Sequence, residues 1–287
     1  MTPDELVERW GNQQAADIAD GKGDSRRFST RSELATGGHR PIGDLLDDER
    51  ADHVTRSDCS ARATTAVPSR LVRTLAIPSP EEMRPRWASY AAVSAARGSR
   101  WAEGCYARGA TWHFDDGGGN WADLRWHSRS EAVLIGYDHE YSETYFDAAA
   151  DYFDRSETDL FAGVPSWWRH AASGYIERQR RTGEWIGFVY GFDGYRWSRA
   201  DYTEPDGFDA LGLPFSSDAT CSRRIADLLN SWKPHDRATS HTVASLLYRG
   251  HTLDRSTADS VFGARRLEVD AAVAAANAFT PLPRGDH

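Results

Sequence analysis

Apolar residues in this chain follow two rhythms, and the change from one to the other marks out the elements. Between Thr111 and Glu140 they alternate with polar residues at a period of two, the signature of strands with one buried face. The alternation is broken at 115–120, where Asp-Asp precedes three glycines and Asn120, and again at Ser128-Arg129-Ser130-Glu131. Glycine and asparagine tolerate the positive φ of tight reversals, so the pattern predicts three strands and two turns. Pairing Trp121–His127 with Ala132–Asp138, His127 opposite Ala132, puts Ala122, Leu124, Trp126, Val133, Ile135 and Tyr137 on one face. Trp121, Asp123, Arg125, His127, Leu134, Asp138 and Glu140 fall on the other.

On either side the period lengthens to that of a helix. Trp87, Tyr90, Ala91 and Ala95 predict a helix from about Pro85 that Gly98 ends, and the stretch 141–152 reads as helical. Ser166 then caps a helix whose stripe is Trp167, Trp168, Ala171, Ala172, Tyr175 and Ile176, with Gly183 as the stop. Glu184–Tyr190 and Tyr195–Tyr202 predict a hairpin around 191–194, pairing Tyr190 with Tyr195 and Phe188 with Trp197. Three further helices are expected: one through Ile225, Leu229 and Trp232, one through Val243, Leu246 and Leu247, and an Ala-rich one over Leu267–Phe279.

These elements add up to an α+β fold. An antiparallel sheet of about five strands carries helices mainly on one face, with a helical extension over 216–287 packed on an aromatic-rich core over 69–215. Residues 101–203 hold eight of the 11 tryptophans and nine of the 11 tyrosines. Residues 11 to about 68 hold a single aromatic, Phe28, among runs of charge, so 1–68 is expected to be a flexible or loosely packed arm.

Charge and chemistry narrow the function without naming it. The formal net charge of −9 disfavours nucleic acid and anionic membranes as partners and suits a basic protein partner. The N-terminus lacks a signal-peptide core, no stretch is apolar enough to span a membrane, and the three widely spaced cysteines suggest neither disulfides nor structural zinc; a cytoplasmic location follows. Walker, dinucleotide and nucleophile-elbow patterns are absent, so no cofactor is expected. His113, His127, Asp123 and Asp138-His139-Glu140 invite a metal reading, but the register separates His127 from Asp138 by the length of the hairpin. The expected working surface is therefore Trp121, Asp123, Arg125, Asp138 and Glu140, used as a binding face of the kind by which immunity proteins cover basic toxins. The alternative is a hydrolase in which a carboxylate pair on that face does acid and base work.

Overall fold

The computed structural model describes residues 72–232, 238–265 and 267–280; the predicted N-terminal arm lies outside them. An antiparallel sheet of seven strands organises the chain. In chain order the elements are β1 (Val72–Leu75), α1 (Pro80–Ala96), α2 (Ser99–Ala102), β2 (Cys105–Arg108), β3 (Thr111–Asp115), β4 (Trp121–Trp126), β5 (Ala132–Tyr137), α3 (Ala148–Phe153), α4 (Ser166–Thr182), β6 (Phe188–Phe192), β7 (Trp197–Ala200), α5 (Asp218–Trp232), α6 (Ser240–Arg249), α7 (Arg255–Phe262) and α8 (Val269–Asn277). Spatially the strands run β1-β7-β6-β5-β4-β3-β2, a meander from β2 to β7 closed by β1 on the far edge. The expected α+β class holds, with seven strands where about five were read: β1 and β2 have only four residues each, too short to show alternation.

Two local predictions shift for identifiable reasons. Helix α1 starts at Pro80 instead of Pro85, because Ser79 and Glu82 form a capping box: Ser79 Oγ accepts from the Glu82 amide and Glu82 Oε2 from the Ser79 amide, at 3.3 and 2.7 Å. Helical structure within 141–152 begins only at Ala148, since Asp147 adopts φ 51° and breaks the run before it.

Two registers differ as well. β4 and β5 pair Trp121 with Tyr137 and Trp126 with Ala132, one residue from the expected alignment. That step moves Leu134 to the face of Ala122, Leu124 and Trp126, and moves Val133, Ile135 and Tyr137 to the face of Trp121, Asp123 and Arg125. Alternation could not reveal the slip because every residue of β5 is buried. In the second hairpin Tyr190 faces Arg199 and Phe192 faces Trp197. The strand runs on through Gly191 and Phe192, and the turn is Asp193–Arg196, closed by Asp193 Oδ1 accepting from the amides of Tyr195 and Arg196 at 3.0 and 2.9 Å.

The sheet thus carries a core on each face. On the first, Trp112, Phe114, Leu124, Trp126, Leu134, Phe188 and Trp197 meet α1 and the C-terminal helices α5 to α8. Trp87 of α1 anchors this core: its ring stacks on Phe215 at 3.5 Å, stands edge-on to Trp112 at 5.7 Å, and its Nε1 donates to the His113 carbonyl at 3.0 Å. On the second face α3 and α4 cover Trp121, Val133, Ile135, Tyr137 and Val189. Helix α4 lies close because Gly191 has no side chain; a Cβ there would fall 1.9 Å from the Trp168 ring. Arg180 of α4 also clasps Asp147 with two charged hydrogen bonds of 2.7 and 3.0 Å. Among the described residues no helix is long and apolar enough to cross a membrane.

Replacing Trp87 with Ala is expected to destabilise the fold by about 3–5 kcal/mol, read as a lower urea midpoint. The Arg180 hydrogen bonds hold the Asp147 carboxyl below the usual carboxylate range. A depressed pKa stabilises above the unfolded value and is lost as pH falls through the folded one. Asp147→Asn should therefore lower the melting temperature at neutral pH and flatten its decline in acid; an unchanged acid limb would contradict the clasp.

Candidate functional site

The second face is apolar under α4 and polar beyond it, towards the β2 edge. Strand pairing aligns two rungs there. Tyr106, His113 and Asp123 lie directly across from one another on β2, β3 and β4, and Arg108, Thr111 and Arg125 form the next rung. Both rungs continue into β5 as apolar residues, Ile135 opposite Asp123 and Val133 opposite Arg125. Helix α4 supplies the opposing wall with Gly174, Tyr175 and Arg178, and the space between is an open groove of about 340 Å³. Gly174 helps keep it open, since a Cβ at that position would meet nothing within 4 Å.

The groove's floor is a closed network. Asp123, only 5% exposed, accepts from His113 Nδ1–H at 2.5 Å. A buried carboxylate needs such partners. Tyr175 meets the same carboxylate, and its ionisation is suppressed first by burial and then by the Asp123 charge and hydrogen bond. The Tyr106 ring lies against His113 with centroids 4.7 Å apart and carries the Arg108 guanidinium 4.1 Å from its centre.

The guanidinium side of the groove is less settled. Arg108 is held by both oxygens of Glu103 at 2.9 and 3.0 Å. Arg178 Nε lies 3.0 Å from Glu184 Oε2, close enough for an ion pair but off the N–H direction. Burial pushes the Glu184 carboxyl up, and Arg178 pulls it back only in part. Arg178 Nη2 is buried and has no hydrogen-bond acceptor among the described residues. Arg125 is exposed and makes no ion pair among them.

Of the residues expected to form the working surface, Asp123 and Arg125 line the groove, and Trp121 is buried behind it, stacked on Tyr175 at 6.0 Å. Asp138 and Glu140 are elsewhere, at the exit of β5. Asp138 is 2% exposed, and its Oδ1 closes a turn by accepting from the amides of Glu140 and Tyr141 at 2.9 and 2.8 Å. Glu140 is exposed and separate from the groove lining. Tyr106 and Arg108 had no sequence signal, because β2 was not legible as a strand. Tyr175 and Arg178 share a helix face at a spacing of three, but which strands they oppose depends on where α4 docks.

Comparison with known proteins adds nothing to this geometry. No family model, curated protein or solved structure matches the chain.

Asp206 Oδ2 accepts from Tyr190 and Tyr202 at 2.7 and 2.8 Å and lies 3.4 Å from Arg199, which ties the 203–208 segment to the sheet. Cys105 and Cys221 are buried thiols, and burial pushes Cys221 up to about 12, so neither is poised as a nucleophile. Among the described residues no three His, Cys, Asp or Glu side chains converge on a metal position.

Asp123→Ala should cost about 1–3 kcal/mol by leaving the His113 and Tyr175 donors unpaired. A denaturation curve overlying that of the parent would show the network to be unimportant for stability.

Proposed function

We propose that the protein is a binding module whose groove between α4 and the β2–β4 rim takes a ligand bearing an oxyanion, a carboxylate or a phosphate. The Arg178 guanidinium, part-exposed on the groove wall and with its Nη2 lacking an acceptor among the described residues, carries this reading. A buried donor without an acceptor costs free energy comparable to a lost hydrogen bond, and a guanidinium fork suits carboxylate and phosphate oxygens. Arg125, two residues along β4 from Asp123, adds an exposed cation with no ion pair among the described residues at the same opening.

A surface for a basic partner, as immunity-type proteins use, draws its support from the net charge of −9 and from exposed Glu140. It gains little from the groove, where Asp123 is spent on His113, or from Asp138, whose carboxylate faces backbone amides. A hydrolytic reading rests on one feature, the imidazole of His113 oriented by the Asp123 carboxylate, an arrangement suited to general base chemistry.

Calorimetric titration with inorganic phosphate and with citrate tests the proposal. Binding should be weakened about tenfold or more in Arg125→Ala, the scale of one charged hydrogen bond, and abolished by Gly174→Trp, which fills the groove from a position with open space around it. Failure to bind both anions, or parent-like affinity in either variant, would overturn it. Turnover of an ester that is lost in His113→Ala would favour the hydrolytic reading instead.

A further inference from the structure

A second cluster of chemically capable side chains lies at the other end of α4. There the β4–β5 turn, the β6–β7 turn and the start of α4 come together: Gly194 packs on Ser130, and Gly191 packs on Trp168. His127, just past β4, stacks flat on Trp167 with ring centroids 5.0 Å apart and planes 15° from parallel. His170, one turn further along α4, stands edge-on to His127, with centroids 6.5 Å apart and an interplanar angle of 80°.

Both imidazoles are exposed, and neither makes a hydrogen bond or ion pair among the described residues. Of the other described histidines, His113 is held by Asp123 and His139 Nδ1 lies 2.9 Å from the Asn120 side chain, while His241 and His251 lack a side-chain partner but stack on no second imidazole. Two unengaged imidazoles on different elements, one of them held by an indole face, make a bidentate nitrogen donor set. From this arrangement we infer a site for a divalent transition-metal ion, with His127 and His170 as its protein ligands.

The geometry is close to what chelation needs. With metal–nitrogen bonds near 2 Å and a tetrahedral angle, two ligating imidazoles have ring centres about 5 Å apart, so chelation requires the pair at 6.5 Å to approach by about 1.5 Å, and exposed His170 is the side chain that would move. Imidazole nitrogen selects zinc, copper and nickel over magnesium and calcium, which prefer oxygen. The local field does not oppose a cation strongly. His170 lies beyond the first turn of α4, where the helix dipole has faded, and the adjacent Arg169 is turned to Asp159 at 3.6 Å and to the Phe161 ring at 4.5 Å. Two protein ligands leave coordination positions for water or for the histidines of a second copy, which would complete a four-nitrogen shell.

Titration of tag-free, full-length protein with Zn²⁺, followed by calorimetry and by size-exclusion chromatography, tests the inference. The expected result is one ion per chain, or one per two chains with a zinc-dependent dimer, and in either case binding weakened about tenfold or more in both His127→Ala and His170→Ala, with circular dichroism unchanged. Zinc binding that is absent, or as strong in either variant as in the parent protein, would overturn the assignment. The groove proposal is unaffected either way, since phosphate and citrate are titrated without metal.

Discussion

The burial of β5 on both faces is the constraint on which the rest of the molecule depends. All six residues of Ala132–Tyr137 are buried, and the strand sits at the centre of seven. A central strand with no solvated face requires apolar cover on each side. One side receives α1 and the C-terminal helices; the other depends on α4, which is long enough to cover the middle of the sheet but not its β2 edge. Gly191 allows that helix to approach, because the Trp168 indole occupies the space a side chain would need.

The groove follows from where α4 stops covering the strands. Along each rung the residues change from Val133 and Ile135 under the helix to Arg125, Asp123, His113 and Thr111 beyond it. Polar groups in this half-covered zone must find partners or keep contact with water. Asp123, His113 and Tyr175 satisfy one another and form a rigid floor. The Arg178 guanidinium pairs with Glu184 and lies over the Trp121 and Tyr175 rings, with its Nε and Nη2 left without acceptors among the described residues. The proposed oxyanion site rests on this part-exposed guanidinium charge beside a floor whose carboxylate is already engaged by His113.

The C-terminal helices belong to the same core as the sheet. Phe262 and Phe279 are fully buried in the cluster that contains Trp87 and Trp112, and Phe279 lies 5.5 Å from the Trp112 ring. Phe262 at the end of α7 and Phe279 just past α8 set large rings into a packed interior, which holds these short helices in place with little intrinsic helix stability.

The sequence by itself determined the class of fold and most of its elements. A two-residue rhythm between Thr111 and Trp126, and the three-to-four-residue rhythm of Trp168, Ala171, Ala172 and Tyr175, reflect local geometry that holds wherever the segments end up. Asp123 and Arg125 could be picked out because charge on an otherwise apolar strand is conspicuous. Register, by contrast, was decided by tertiary packing: β5 is apolar throughout, so a one-residue slip changed no local pattern, and only cover on both faces fixed which residues share a side. The same holds for the groove and for the histidine pair. Tyr106, Arg178, His127 and His170 come from segments far apart in the chain, and their meeting depends on the angle and depth at which α4 docks, a property of Trp168 fitting against Gly191 and not of any one stretch of sequence.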